Sequence, residues 1–344
     1  MAVLLYHEDF KLHDPSPYEH PENPRRLNLM LSGLRDYGIL ERFTIPELPL
    51  GDVEDYRLVH SEEYLRRVAS RGVNGVEWLD PDTYISPGTH KALKRLAGAA
   101  RLAVDSLVDG EDLLLLLPRP PGHHAGRNGA AMGAPTLGFC ILNTSALIAR
   151  KLSSHGRVTI LDFDLHHGNG TQEIVYDDPG IQHVDIHQDP RTIYPGTGYP
   201  WQTGGPGAEG TKANIILPPG SRDDVFLEAA RLAVDLIRGF DPDYIVVDAG
   251  FDGYRGDNYM SSVSLASPSY HELGAMLRRL GRPIVVVVEG GYGSGLLEGL
   301  PAFTAGLLGL GDPVGRDAGR STRDVRERFE ASAKELLEGL GLRR

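Results

Sequence analysis

The sequence predicts a single-domain α/β protein in which helices cover both faces of a mainly parallel sheet. Short, dense apolar runs such as residues 113–117 and 284–288 have the composition of strands buried on both faces. Capped helical segments at residues 221–239 and 267–281 lie between such runs, which gives the β-α-β alternation of a parallel sheet. Polar residues directly follow several runs, and this is typical of a functional site at the carboxyl ends of parallel strands.

A short strand opens the chain, and a loop rich in proline and histidine follows at residues 13–24. Residues 122–138 are rich in glycine and nearly free of bulky side chains, so we expect this segment to cover a pocket. Helices are predicted at residues 25–37, 90–107, 141–152, 221–239 and 267–281, and further strands at 113–117, 157–162, 181–186, 213–217, 244–248 and 284–288.

The length of 344 residues fits one α/β domain better than two independent ones. We expect residues 1–310 to form the main domain and residues 311–344 to form a linker and a final amphipathic helix. One face of that helix should dock on the same domain. The residues of this face are Val325, Phe329, Leu336 and Leu340.

Composition narrows the class of partner. Lys and Arg total 35 against 47 Asp and Glu, and the net charge of −12 argues against binding to nucleic acid or an anionic membrane. A cationic ligand would instead be attracted. No stretch reaches the roughly 18 apolar residues of a membrane span, and the start carries no basic leader, so we expect a cytoplasmic protein. Cys140 is the only cysteine, which excludes an intramolecular disulfide and a cysteine zinc cage.

Candidate metal ligands follow two of the predicted strands. If the strand continues past Asp162, then Asp162, Asp164 and His166 project together, because alternate side chains of a strand share a face. Asp252 arrives from another acidic strand end. Asp164, His166 and Asp252, with an open position for water and substrate, fit a catalytic zinc site, and iron(II) suits the same donors. The alternative interpretation is a buried ion pair at a strand end.

A metal ion held by two carboxylates needs additional catalytic groups, because the negative charge of the carboxylates neutralises a divalent ion and weakens it as a Lewis acid. His123, His124 and Tyr292 also follow predicted strands, and these groups would supply a general base and a second electrophile. Asp162 and Asn169 are candidates to orient the two imidazoles by accepting hydrogen bonds from their ring N–H groups.

Loop residues near this chemistry indicate a channel. Phe139, which follows Gly138, and Tyr194 are loop aromatics, and together they would wall a narrow channel for an aliphatic chain with a polar end. Cys140 is disfavoured as a nucleophile, because its apolar neighbours do not lower the pKa of a thiol.

Nucleotide-binding interpretations of the glycine-rich loops are weaker. Residues 289–293 follow a strand as a phosphate-binding loop does, but Leu296 stands where the third glycine of a dinucleotide fingerprint belongs. Residues 168–171 lack the Gly-Lys-Ser/Thr of a Walker loop. Nucleotide-dependent redox chemistry or phosphoryl transfer is therefore disfavoured.

Taken together, the motifs resemble one known group of proteins, the histone deacetylase and acetylpolyamine amidohydrolase superfamily. The resemblance runs from about residue 6 to about residue 307, and the motifs occur in the order that the superfamily has. It implies an arginase-like α/β fold and a deacetylase-like catalytic domain over residues 1–310. The motifs are Pro-Gly-His-His at 121–124, Gly-Phe-Cys at 138–140, Asp-x-Asp-x-His-His-Gly-Asn-Gly at 162–170, Ala-Gly-Phe-Asp at 249–252 and Glu-Gly-Gly-Tyr at 289–292.

By this resemblance, zinc would be bound by the Asp-His-Asp set named above. His124 would act as general base and then as acid, and His123 would be its electrostatic partner, held by Asp162. Tyr292 would polarise the amide carbonyl and steady the tetrahedral oxyanion.

The resemblance also implies a structural potassium ion and a rim acid. The potassium ion would lie near Asp162 and use main-chain oxygens of Asp164 and His166. Asp185 stands where a serine often contributes to that ion's coordination. Asp82 matches the acid at the channel rim that grips substrate backbone amides.

Two further positions depart from common patterns of the superfamily. Asn169 is Asp in one branch and Asn in the branch that includes class II deacetylases, so the chain is more similar to the latter. Tyr194 replaces the more usual phenylalanine wall, which predicts a more polar channel. The stretch at residues 164–168 lacks the extra carboxylate of arginase-like dinuclear chemistry, which favours one catalytic metal.

The sequence thus predicts a zinc-dependent amidohydrolase that cleaves an acetyl or other short acyl group from acetyl-lysine or an acetylated polyamine with metal-activated water. The competing hypothesis is a non-catalytic acyl-amine binding protein with the same pocket. It is disfavoured because every residue that catalysis needs is present.

Overall fold

The computed structural model describes residues 2–257 and 261–342. Its centre is an eight-stranded sheet in which every neighbouring pair of strands is parallel. Across the sheet the strand order is β6-β5-β4-β7-β8-β3-β1-β2, with strands numbered along the chain. They are β1 (Ala2–Leu5), β2 (Phe43–Thr44), β3 (Leu113–Leu116), β4 (Val158–Asp162), β5 (Ile181–Gln188), β6 (Lys212–Leu217), β7 (Tyr244–Ala249) and β8 (Ile284–Val288).

Helices flank this sheet, as the alternation of apolar runs and capped helices predicts. The sixth helix contacts β5 and β6, the fourth contacts β4 and β7, and the third contacts β3 and β8. The helices are α1 (Arg25–Asp36), α2 (Glu62–Ser70), α3 (Thr89–Val108), α4 (Thr144–Leu152), α5 (Asn169–Val175), α6 (Asp223–Phe240), α7 (Ser267–Arg278), α8 (Leu300–Leu308) and α9 (Arg323–Gly339).

Two central strands, β4 and β8, are buried along their whole length because helices cover both faces. All five residues of β8 and all five of β4 are buried. Each fully buried Val, Leu or Ile side chain contributes about 1.5–3 kcal/mol relative to leaving it exposed, so these runs carry much of the core. The predicted single-domain α/β class with a parallel sheet is confirmed.

Several boundaries differ from the predicted ones for local reasons. The helix expected from residue 141 begins at Thr144, because the side chain of Asn143 accepts a hydrogen bond from the backbone N–H of Ala146 at 2.8 Å and caps it. Helices α2, α5 and α8 were not predicted from the sequence. Helix α5 begins Asn-Gly-Thr, which is typical of a loop, and its seven residues show no clear apolar stripe.

The glycine-rich segment expected to cover a pocket has 8 of its 17 residues buried and contains a small antiparallel hairpin of Ala125–Gly126 with Gly129–Ala130. A second hairpin pairs Glu77–Asp80 with Thr83–Ile85. Both lie outside the main sheet.

The last helix, α9, packs against β6. Val325, Phe329 and Leu336 are buried, and Leu340, just beyond the helix end, packs more loosely on the core. The division of the chain at residue 310 stays a prediction. Within the described residues, no helix is both long enough and apolar enough to cross a bilayer.

Candidate active site

Four neighbouring strands bring the candidate residues to one edge of the sheet. Strands β4, β7, β8 and β3 are adjacent in that order. The segments after their carboxyl ends hold, respectively, Asp164, Asp252, Tyr292 and His124. Because the strands are parallel, all four segments meet at the same edge.

The three candidate metal ligands converge. Strand β4 ends at Asp162, so Asp164 and His166 lie in the loop that follows instead of on a continued strand face. Nδ1 of His166 lies 3.1 Å from Oδ1 of Asp164 and 2.7 Å from Oδ2 of Asp252. All three side chains are buried, and their ligand atoms lie within 4.8 Å of one another. Among the described residues, Oδ2 of Asp252 has no partner with hydrogen-bond geometry.

This cluster has the electrostatics of a cation site. Burial lowers the pKa of His166, but the carboxylates of Asp164 and Asp252 outweigh burial and raise that pKa to about 10. Burial and the charge of Asp164 raise the pKa of Asp252. The carboxylates thus favour a positive charge at the centre of the cluster. In the protein by itself, the proton on the imidazole of His166 supplies that charge.

Each of the paired histidines has its own orienting partner. Nδ1 of His123 lies 2.9 Å from Oδ2 of Asp162, and Nδ1 of His124 lies 2.7 Å from Oδ1 of Asn169. The Asn169 amide donates to the carbonyl oxygen of Ala131 at 2.9 Å, which turns its oxygen toward His124. His124 therefore carries its proton on Nδ1, and Nε2 is left with a lone pair.

The two histidines have opposite pKa shifts. Burial lowers the pKa of His123, but the carboxylates of Asp162 and Asp164 outweigh burial and hold it well above its usual range. Burial, followed by the positive charges of His123 and His166, holds the pKa of His124 well below its usual range. His124 is thus the neutral member of the pair, and the ring centroids lie 4.0 Å apart.

The predicted channel residues lie beside this pair. The Tyr194 ring meets His124 edge-on at 5.0 Å, and its hydroxyl donates to the carbonyl oxygen of Thr136 at 2.9 Å. Phe139 lies 6.0 Å from the ring of Tyr292. A Cβ on Gly138 would lie 2.6 Å from the His124 ring and 2.8 Å from Tyr194, so only glycine fits between them.

Asp82 braces the channel wall through its carboxylate. One carboxylate oxygen accepts from the hydroxyl of Thr136 at 2.6 Å and the other from the hydroxyl of Thr83 at 2.8 Å. The Thr83 hydroxyl accepts in turn from the backbone N–H of Phe139 at 3.0 Å. Direct contact between Asp82 and substrate stays a prediction.

Tyr292 is half-buried at the edge of the site. The guanidinium of Arg26 lies over its ring at 4.8 Å, and burial raises the pKa of its hydroxyl well above the usual range. The hydroxyl therefore stays protonated and able to donate a hydrogen bond.

Asp185 is buried beside Asp162, its partner across the strand pair, and the ligand atoms of Asp162, His183 and Asp185 lie within 4.8 Å of one another. One carboxylate oxygen of Asp185 contacts Nδ1 of His187 at 2.6 Å, and the other accepts from the backbone N–H of Gly168 at 2.8 Å. On the same strand, Nε2 of His183 lies farther away, 3.8 Å from Oδ2 of Asp185. The potassium site stays a prediction.

The sequence analysis missed two residues that shape the site. Glu289 is buried, and it accepts hydrogen bonds from the backbone N–H groups of Gly122 and His123 at 2.8 and 3.3 Å. The sequence signal for Glu289 is its position as a carboxylate directly after a strand of apolar residues. His20, left without a role, meets Phe139 edge-on at 4.6 Å. The sequence signal for His20 is its place in the long loop rich in proline and histidine.

Fold and site together define an arginase-like α/β protein with a candidate metal-binding cluster at the carboxyl edge of its sheet. A histone deacetylase domain matches residues 20–305, and the chain belongs to the histone deacetylase family. It is 36% identical over 298 residues to a probable deacetylase of Methanothermobacter thermautotrophicus, covering 84% of this chain and 85% of that protein.

Two solved structures share the fold. The HD domain of HDA15 superposes with a TM-score of 0.86 at 27% identity, covering 98% of this chain and 94% of that one. The acetylpolyamine aminohydrolase of Burkholderia pseudomallei superposes with a TM-score of 0.77 at 28% identity, covering 89% and 98%. The named relatives are therefore deacetylases and amidohydrolases.

Proposed function

We propose that the protein is a metal-dependent deacetylase that removes an acetyl or other short acyl group from an amide of a primary amine. The observation that carries this proposal is the convergence of Asp164, His166 and Asp252 beside the neutral imidazole of His124. The ring of His166 lies 6.2 Å from that of His124. A general base next to a cation site is the arrangement that metal-dependent amide hydrolysis uses.

Asp164, His166 and Asp252 would hold the ion. Their donor atoms lie within 4.8 Å of one another, and Oδ2 of Asp252, whose 2.7 Å contact with Nδ1 of His166 lacks hydrogen-bond geometry, supports the fit among the described residues. One imidazole nitrogen and two carboxylates suit Zn²⁺, and Fe²⁺ takes the same donors. When bound, the ion would supply Lewis acidity toward a carbonyl oxygen and lower the pKa of water.

His124 would be the general base and then the general acid. Its Nδ1–H is held by Asn169, so Nε2 faces the reaction as an acceptor. Its low pKa keeps this nitrogen free of a proton at neutral pH. Nε2 would take a proton from the attacking water and return it to the leaving amine.

His123 and Tyr292 would support the change of charge around the carbonyl. The carboxylate of Asp162 holds His123 in place, and the positive charge of His123 favours a negative charge that develops nearby. Tyr292 would donate its hydroxyl to the carbonyl oxygen, an interaction that strengthens as the oxygen becomes an oxyanion.

The substrate would present its amide at the end of an aliphatic chain. The rings of Phe139 and Tyr194 flank the approach to His124 and Tyr292, and the net charge of −12 favours a cationic amine. Acetyl-lysine and acetylated polyamines both present such an amide, and of the two only the polyamine keeps a cationic amine on the same chain. The likeness to an acetylpolyamine aminohydrolase supports the polyamine, and the match to a histone deacetylase domain supports the protein substrate.

Release of acetate or butyrate by the purified, metal-loaded protein tests the proposal. The substrates would be an acetyl-lysine peptide, an N-acetylated diamine and their butyryl counterparts. We expect acetate or butyrate from at least one of them, and none from Asp164→Asn. Asp241→Asn, a carboxylate change at an exposed ion pair with Arg282, is the control and should be fully active. Substrate binding without any acyl release would instead establish the non-catalytic alternative.

A further inference from the structure

The carboxylate of Asp257 accepts hydrogen bonds from backbone N–H groups of the loop that carries Tyr292. One oxygen accepts from the N–H of Tyr292 at 2.9 Å. The other accepts from Gly293 at 2.8 Å and Gly295 at 2.7 Å. Asp257 is only 4% exposed, so water does not compete strongly for these bonds.

The carbonyl groups of the same loop are held from another direction. The Nε–H of Arg26 donates to the carbonyl oxygen of Gly291 at 2.7 Å, and its guanidinium also donates to the carbonyl oxygen of Glu289. A loop with glycine at 290, 291 and 293 has little stiffness of its own. Its conformation therefore depends on these outside partners.

Asp257 also belongs to the loop that supplies Asp252. Its backbone N–H donates to the carbonyl oxygen of Tyr254 at 2.9 Å, so a local turn joins the two aspartates. The N–H of Phe251 donates to the carbonyl oxygen of Gly290 at 3.1 Å, which links the two loops a second time. A Cβ on Gly295 would lie 2.0 Å from the Phe251 carbonyl oxygen, so the loops are in close contact.

We propose that Asp257 is a positioning residue that sets the place of the Tyr292 hydroxyl relative to the cluster of Asp164, His166 and Asp252. This inference rests on the proposed deacetylase function. A transition-state donor must be held closely, because a misplacement of about 1 Å costs on the order of 100-fold in rate. Asp257 meets that need by fixing the backbone of the donor to the loop of a candidate metal ligand.

Asp257→Asn tests the proposal, because its amide group cannot accept a hydrogen bond where the second carboxylate oxygen did. We expect kcat to fall by about 10- to 100-fold, with KM and bound metal per chain little changed. In the Tyr292→Phe background, the same change should cost less than about 2-fold, since the hydroxyl that Asp257 positions is already gone. An equal loss in both backgrounds would overturn the proposal.

Asp223→Asn is the matched control. Asp223 is also buried, and it accepts from the backbone N–H groups of Ala266 and Gly319 at 2.8 and 2.6 Å, outside the site. Its loss should lower the thermal midpoint and leave kcat unchanged. If kcat fell as much in Asp223→Asn as in Asp257→Asn, the effect of Asp257 would be one of general stability, and the positioning role would be overturned.

Hydrogen exchange separates this proposal from the proposed function. Amides of residues 292–295 should exchange at least about 10-fold faster in Asp257→Asn than in the unmodified protein, because their acceptor is weakened. This measurement needs no substrate. Unchanged exchange would overturn the positioning role even in an active enzyme. If exchange is faster but the protein releases no acyl group, Asp257 does hold the loop and the proposed deacetylase function is wrong.

Discussion

At the scale of single residues, the chemistry of the site depends on the side-chain atoms that remain available once each hydrogen bond is formed. The pairings of Asp162 with His123 and of Asn169 with His124 follow from residue types at strand ends, and the structure has both. Arg26 and Asp257 could not be found this way. Each binds backbone groups of a loop that is 265 or 35 residues distant, and a backbone partner leaves no mark in the sequence.

Tyr292→Phe tests the residue proposed to bind the oxyanion. Removing one such donor typically costs 100-fold or more, so we expect kcat to fall by at least about 100-fold while KM changes little. Steady-state acetate release would measure this. Tyr199→Phe, where the ring stacks on Trp201 at 4.5 Å, is the matched control and should keep full activity. Unchanged turnover in Tyr292→Phe would remove the proposed role.

At the scale of elements, buried ion pairs fix the loop between β1 and α1. Glu22 is fully buried and accepts from Nε of Arg119 at 2.6 Å and from its second nitrogen at 2.8 Å. His13 lies 3.3 Å from the same carboxylate, and the hydroxyl of Tyr84 lies at 3.1 Å. The length of the loop indicates function, but no sequence pattern pairs Glu22 with a residue 97 positions away.

Glu22→Gln should leave Arg119 as an unpaired buried charge, and we expect it to lower the free energy of unfolding by about 3–5 kcal/mol at neutral pH. Burial raises the pKa of Glu22, but Arg119 and His13 outweigh burial and hold it well below 4.5. Its stabilisation is therefore present above pH 4.5 and is lost as the pH falls through that value toward the folded-state pKa.

Urea unfolding across the acid range would measure both effects. The difference between Glu22→Gln and the unmodified protein should shrink as the pH falls below 4.5. Glu63→Gln, an exposed change near the start of α2, should differ by less than about 0.5 kcal/mol throughout. A pH-independent difference would contradict the ionised pair.

At the scale of the whole molecule, the parallel sheet explains why distant motifs form one site. The apolar runs predicted the central strands to within one or two residues, since complete burial leaves an unmistakable composition. Strand order was not predictable, because it depends on helix packing across the whole chain. The order β4-β7-β8-β3 is what makes Asp164, Asp252, Tyr292 and His124 neighbours.

Metal content measured in parallel with acetate release is the decisive experiment. Chelation should remove one ion per chain and abolish turnover, and adding back one equivalent of Zn²⁺ or Fe²⁺ should restore both together. Asp252→Ala should neither retain the ion nor regain turnover. Full acyl release from protein shown to be free of divalent metal would contradict a catalytic ion held by Asp164, His166 and Asp252.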